Sequence, residues 1–251
     1  MHPNVDILGI DVPIYGIAII FAMFVLVTSS LIIMCRTDLK IIEGLKLGVY
    51  GFTGAVIGAK ILYVLQQTEY SFYCMKGFSE HISIKGSSAY GAILIGCLFL
   101  QLGSWIHKIE LNRYLKKLLV LVPICHAICK CGCFFAGCCY GIIYEGVGSV
   151  IYYESRYAPL GVALFPVQLL EAVGLILISI IIFVYRKQNI SIGKYLVLYS
   201  ILRFFIEFVR NQQTKVMIGI VSDIQIMCVC TVALYIIINR VQVRKKDERN
   251  K

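Results

Sequence analysis

Lys60, His126, Lys130, Glu171, Arg203, Glu207 and Asp223 all lie within or at the edge of long apolar runs of this 251-residue chain. Ionisable groups at membrane depth are costly, so they face a protein interior or a water-filled cavity. Arg203, Glu207 and Arg210 are spaced i, i+4, i+7, which places them on one face of a helix, with Tyr199 one turn earlier. This pattern fits a buried ion pair that orients helices. It also fits a pocket that presents a guanidinium to an anionic group, because arginine can hold a phosphate with two parallel hydrogen bonds. Gln168 and Glu171 share another face just after Pro166. They read either as a polar helix start or as a carboxylate that holds a basic or hydroxyl partner.

The stretch PICHAICKCGCFFAGCCYG, residues 123–141, carries His126, Lys130, six cysteines and glycines 132, 137 and 141. The cysteine spacing does not match the paired C-x-x-C of common metal sites. It fits close helix packing through small residues better. The adjacent Cys138 and Cys139 leave a redox role open.

The elements that position these groups are apolar helices. The chain is 59% apolar and 15% charged, whereas a soluble domain is nearer a quarter charged. Seven apolar segments fall at roughly 14–34, 47–65, 89–106, 118–137, 163–185, 194–209 and 216–239. The fold class is therefore all-α: a polytopic transmembrane helical bundle. It is expected as one transmembrane catalytic domain over 1–239, followed by a basic cytoplasmic tail over 240–251. The first segment does not read as a cleavable signal peptide, because no Lys or Arg precedes it and no small-residue cleavage site follows. Sixteen of the 24 basic residues fall on one side of the segments, in loops 35–46, 107–117 and 186–193 with Lys194 at its edge, and in the tail. That bias puts the N-terminus outside and the C-terminus in the cytoplasm. The net charge of +10 is thus a topology signal that needs no nucleic-acid partner. The tail is placed to meet anionic headgroups. The outer loops, 66–88 and 138–162, are long and aromatic, as interfacial or functional loops are.

In this order the residues resemble the prolipoprotein diacylglyceryl transferase family, a family of bacterial inner-membrane enzymes. The match begins with Tyr15–Gly16 in the first segment and Gly58, Lys60 and Tyr63 in the second. Tyr90, Gly91 and Ala92 stand at the family's histidine–glycine–glycine. The signature run is met by Lys130, Gly132, Cys133, Phe134, Gly137 and Gly141. Pro166, Gln168, Leu169, Glu171 and Ala172 match the fifth motif, and Tyr199, Arg203, Glu207 and Arg210 the sixth. Ser222 and Gln225 open the last segment as the family does. Tyr90 stands where the family has histidine, Lys130 where it has arginine, and Cys133 where it has asparagine, so the chain reads as a divergent, cysteine-rich branch.

The resemblance implies transfer of a diacylglyceryl group from phosphatidylglycerol, or a similar anionic phospholipid, to the lipobox cysteine of a prolipoprotein signal peptide. It implies no cofactor and no metal. It assigns Arg203 and Lys130 to the phosphate, with Glu207 orienting them and Tyr90 or His126 accepting the thiol proton. Tyr15, Lys60, Gly91, Gly132, Cys133, Gly137, Gly141, Gln168, Glu171, Tyr199 and Arg210 are expected to line the substrate site. Two other readings stay open: a related membrane transferase with a different acceptor, and a non-catalytic transporter or lipid-binding protein on the same fold.

Overall fold

The computed structural model describes residues 4–7, 10–71, 88–187, 191–211, 217–218 and 221–249. Most of the outer loop expected over 66–88 lies outside these residues. The chain is mostly helical: α1 (Ile14–Cys35), α2 (Ile41–Ser71), α3 (Ala89–His107), α4 (Leu111–Leu118), α5 (Leu121–Ala136), α6 (Val167–Val184), α7 (Ile192–Val209) and α8 (Asp223–Arg249). Three short antiparallel strand pairs, which the apolar periodicity did not signal, join them: β1 (Asn4–Ile7) with β2 (Ile10–Pro13), β3 (Val150–Ile151) with β4 (Ala163–Leu164), and β5 (Met217–Ile218) with β6 (Val221–Ser222).

Among the described residues, five helices are long and apolar enough to cross a membrane: α1, α2 over Ile41–Leu65, α3, α6, and α8 over Asp223–Val241. The pair α4–α5, bent by 50°, passes the same test as one broken span. The segment 194–209 corresponds to α7, which carries Lys194, Arg203 and Glu207 and so is more polar than the others. Large apolar side chains point outward on these helices, for instance Ile20 at 72% and Phe24 at 64% exposure on α1. Contiguous apolar faces of this kind need a bilayer as their solvent. The protein is a multi-pass membrane protein.

The chain divides into two compact units, residues 31–117 and residues 1–30 with 118–251. In the first, α2 packs along α3. Glycines make the approach: a methyl group on Gly58 would run into the Gly91 carbonyl, and one on Gly91 into the Gly58 carbonyl. Gly54 faces Phe99 and the Ile95 carbonyl in the same way. Small residues that let backbones touch are the usual way to pair helices where lipid removes the hydrophobic drive. The segment expected as loop 107–117 contains α4, whose buried Leu111, Tyr114 and Leu115 form an apolar stripe at i, i+3, i+4. Its charged side holds the α1–α2 loop: Asp38 accepts from Arg113 and, at 2.6 Å, from Lys117.

In the second unit α5 packs on α6, α6 on α7 and α7 on α8. Helix α6 buries two polar side chains at its start and an apolar stripe beyond them, and is apolar outside. Gln168, Glu171, Leu175, Ile178 and Ile182 are buried at alternating three- and four-residue steps. Val173, Leu177, Ile180 and Val184 are exposed. Helix α8 starts with a capping box: Ser222 N donates to Gln225 Oε1 at 3.0 Å and Gln225 N to Ser222 Oγ at 3.2 Å. The Ser–x–x–Gln start is therefore a helix-starting device. Helix α8 runs on to Arg249, so the basic tail continues it.

Replacing Gly58 with leucine should prevent α2 and α3 from meeting. Overpacking of this kind costs about 1–3 kcal/mol or more, read as a lower thermal midpoint in detergent; an unchanged midpoint would refute the packing. Hydrogen bonds from Lys117 and Arg113 hold the Asp38 carboxyl well below the usual carboxylate range. A carboxyl lowered in the folded state stabilises above its unfolded value, about 3.9, and loses that effect as the pH falls. Wild type should therefore exceed Asp38→Asn in thermal midpoint at pH 6, and the difference should shrink as the pH drops below about 4.

Candidate active site

The polar groups of α5, α6 and α7 meet inside the second unit. Lys130 and Glu171 form an ion pair at 2.8 Å, with side chains 8% and 4% exposed. Arg203 pairs with Glu207 at 2.9 Å, and Glu207 is 1% exposed. Arg210 approaches the same Glu207 oxygen at 3.8 Å. Arg203 also lies within electrostatic reach of Glu171, which links the two pairs. The result is three cations and two carboxylates within one buried cluster. Burial of such charges is tolerable only when they are paired. The surplus is positive, and that is what an anionic ligand needs.

Local structure explains how each member is held. Lys130 follows Pro123 and Ala127 on the buried stripe of α5 and precedes Phe134. Arg203 and Glu207 continue a buried stripe from Tyr195 and Tyr199 on α7. Helix α7 ends at Val209, and Arg210 is extended, with φ −82° and ψ 146°. It is pinned by an antiparallel bridge to Gly141 and by the hydrogen bond from Ile142 N to Val209 O at 3.0 Å. A methyl on Gly141 would lie 2.5 Å from the Phe165 carbonyl and 3.0 Å from the Val209 carbonyl. Gly141 thus acts by letting three backbone segments converge beneath Arg210. The other signature glycines have separate duties. Gly132 admits Ala18 and Tyr15 of α1 against α5. Gly137 takes the left-handed conformation that ends α5, with φ 73°.

His126 sits one turn before Lys130, its ring 5.4 Å from that of Tyr199. Tyr199 in turn stacks on Tyr195 at 6.3 Å. Neither His126 nitrogen has a hydrogen-bond partner among the described residues, and the same holds for Glu171 Oε1, Gln168 Oε1 and Arg210 Nε. Gln168 Nε2 donates to the Cys138 carbonyl at 2.8 Å. The buried Cys133 offers its carbonyl to the Cys138 thiol at 3.7 Å. No group of three or more His, Cys, Asp or Glu among the described residues is arranged to hold a metal ion. Lys60, Tyr90 and Gly91 belong to the other unit, where Tyr90 is buried and Gly91 meets Gly58.

Three contributors escape a sequence reading. Arg210 Nη2 donates to Cys139 Sγ at 3.7 Å. Tyr152 Oη donates to the Phe134 carbonyl at 2.8 Å and Ser155 Oγ to the Ala136 carbonyl at 3.0 Å, so the 138–162 loop caps the end of α5. Burial pushes the Tyr152 phenol up to about 12, which keeps it a donor. Only the adjacency of Cys139 to Cys138 hinted at any of this. Capping across a loop leaves no local pattern.

Glu171→Leu should strand Lys130 and destabilise by about 3–5 kcal/mol, whereas Lys130→Met with Glu171→Leu should recover most of that loss. Thermal unfolding of the three proteins in detergent checks this. Equal loss in the single and double variants would show that the pair is not coupled.

Residues 4–240 match the family model described as prolipoprotein diacylglyceryl transferase. The phosphatidylglycerol–prolipoprotein diacylglyceryl transferase 2 of Clostridium perfringens (strain 13 / Type A) is 26% identical over 238 residues, 89% of this chain and 88% of its own length. The transferase of Finegoldia magna is 26% identical over 257 residues, 97% of this chain and 98% of its own. That of Dehalococcoides mccartyi strain 195 is 32% identical over 208 residues, 78% and 76% of the two chains. With the fold and the charged cluster of α5, α6 and α7 in place, the chain belongs to the prolipoprotein diacylglyceryl transferase family, a family of enzymes.

Proposed function

We propose that this enzyme moves the diacylglyceryl group of phosphatidylglycerol onto the thiol of a lipobox cysteine in a lipoprotein precursor. The observation that carries this reading is the buried cluster of Lys130, Arg203 and Arg210 with Glu171 and Glu207. In the reaction the acceptor sulfur attacks the glyceryl methylene, a carbon–sulfur bond forms, and the carbon–oxygen bond to phosphate breaks. Glycerol phosphate leaves with the electron pair. Lys130 and Arg203, supported by Arg210, neutralise the charge that gathers on that phosphate. Glu171 and Glu207 aim the cations and prevent them from repelling one another. His126, with both nitrogens available, hydrogen-bonds the bound substrate beside Tyr199. The resemblance also assigns Lys60, Tyr90 and Gly91 to the substrate, and these residues belong to the other unit. The glycines 132, 137 and 141, with Tyr15, Cys133 and Gln168, shape the floor beneath the phosphate.

The same reading takes α4–α5 as one broken span and α7 as a further one, giving seven. The N-terminus then lies outside a bacterial inner membrane and the basic C-terminal end in the cytoplasm. The polar end of α6, with Gln168 and Glu171, opens toward the outer leaflet. Placement there suits a precursor that arrives from the secretion route and a phospholipid that enters sideways.

The test is complementation of a strain depleted of its own transferase, with thioether-lipidated lipoprotein read by mass. Wild type should restore the lipidated form. Arg203→Ala should insert at normal levels and reduce transfer at least 100-fold, the scale of losing one preorganised charge partner in a dry site. Wild-type transfer by Arg203→Ala would overturn the site assignment.

A further inference from the structure

The reaction needs a group to take the proton of the acceptor thiol, and the structure offers one that the family motifs do not include. Cys139 follows the end of α5, just outside the apolar segment. Its backbone is left-handed, with φ 57°, one of two such non-glycine residues among those described. A side chain held in this sparsely populated conformation marks a place where the surroundings override local preference, and such places cluster at active sites. Cys139 as a residue is half-buried, whereas Cys125, Cys133 and Cys228 are buried.

Its surroundings are built. Arg210 Nη2 donates to Cys139 Sγ at 3.7 Å while also approaching Glu207. The Cys138 thiol, 3.7 Å from the Cys133 carbonyl, lies within hydrogen-bonding reach of Cys139 as well. Gln168 is anchored on the Cys138 carbonyl at 2.8 Å, and its Oε1, in a side chain 1% exposed, has no hydrogen-bond partner among the described residues. That oxygen is a buried acceptor on a side chain anchored at Cys138, and it has a donor to gain from a bound substrate. The charged and titratable groups that face Cys139 are Cys138, Arg210, Lys130, Arg203, Glu171 and Tyr15. Three of the six are cations. The hydrogen bond from Cys138 and the charges of Arg210 and Lys130 hold the Cys139 thiol below its ordinary range, against the opposing effects of burial and Glu171. A low-lying thiol beside cations is the setting in which a thiolate persists at neutral pH.

We propose that Cys139 is a further catalytic residue, its thiolate taking the proton of the acceptor cysteine within the arginine–cysteine–glutamine corner formed by Arg210, Cys139 and Gln168. The proposal rests on the transferase reading above. The proton moves from the acceptor S–H to Cys139, and the acceptor thiolate attacks the glyceryl methylene. The carbon–oxygen bond to phosphate breaks and its electrons stay on the leaving oxygen. The proton then passes from Cys139 to the departing phosphate monoester, which restores the thiolate. No oxidation or reduction occurs. Cys139 is the stronger acid of the two, so the proton transfer runs uphill, and the attack of the acceptor thiolate on the methylene draws it forward.

The experiment uses the full chain in detergent with phosphatidylglycerol and a lipobox peptide, comparing wild type, Cys139→Ser, Cys139→Asp and the exposed control Cys131→Ser. Cys139→Ser should lower kcat about 100-fold, the lower end of general-base effects, with KM for phosphatidylglycerol within twofold. The acid limb of the kcat profile should disappear in Cys139→Ser and return, shifted to lower pH, with part of the rate in Cys139→Asp. Alkylation of Cys139 by iodoacetamide, followed by peptide mass, should be rapid at pH 7 and at least tenfold slower in Arg210→Gln. Cys131→Ser should match wild type. A Cys139→Ser enzyme with wild-type kcat, or one whose acid limb persists, overturns the role of Cys139 alone. Absence of transfer by wild type overturns the transferase reading and this proposal with it.

Discussion

Two carboxylates, Glu171 and Glu207, hold three cations inside an apolar protein, and the rest of the second unit is arranged to make that possible. A single arginine at mid-membrane costs about 2.5–3.5 kcal/mol on insertion scales. Only pairing makes a cluster of such groups tolerable, and pairing demands that α5, α6 and α7 present them at the same depth. Each helix does so by turning its ionisable groups inward and leaving apolar side chains outward, such as Phe135 on α5, Leu177 on α6 and Phe205 on α7. Among the described residues the cluster sets two carboxylates against three cations, a balance that suits the anionic ligand proposed above.

The glycines and the small outer loop serve that cluster indirectly. Gly141 lets the segment after α5 slide between Phe165 and Val209 and thereby seats Arg210. Gly132 brings α1 onto α5. Tyr152 and Ser155 satisfy the carbonyls that α5 leaves open, so that the helix bearing Lys130 has a defined end. A buried core of Tyr140, Tyr152, Ala158 and Leu164 keeps this loop packed. These features carry no charge, yet each helps to fix the position of a charged group.

The helical, multi-pass character of the chain could be read from hydropathy alone, since apolar runs of ~20 residues leave few other folds. The pairing of Arg203 with Glu207 followed from i, i+4 spacing, because neighbours on one helix meet as a matter of geometry. The partner of Lys130 did not, since Glu171 lies on a different helix and no local pattern joins them. Arg210 was expected on the face of Arg203; it is instead the first residue past the helix, held by a strand-like bridge that periodicity cannot report. The loop assigned to 107–117 proved to contain a helix because eight residues are too few for a hydropathy window, although Leu111, Tyr114 and Leu115 carry a helical stripe. Gly91 is expected at the substrate from its motif, and in the structure it also lies where α2 packs on α3, against Gly58. A glycine that admits a ligand and one that admits a helix look alike in sequence.

The central claim is that the charged cluster serves diacylglyceryl transfer. The most direct measurement is the mass of a synthetic lipobox peptide after incubation with the purified protein and phosphatidylglycerol, together with the glycerol phosphate released. The account predicts a thioether-linked diacylglyceryl group on the peptide cysteine and one equivalent of glycerol phosphate. An unmodified peptide with intact phosphatidylglycerol would contradict it.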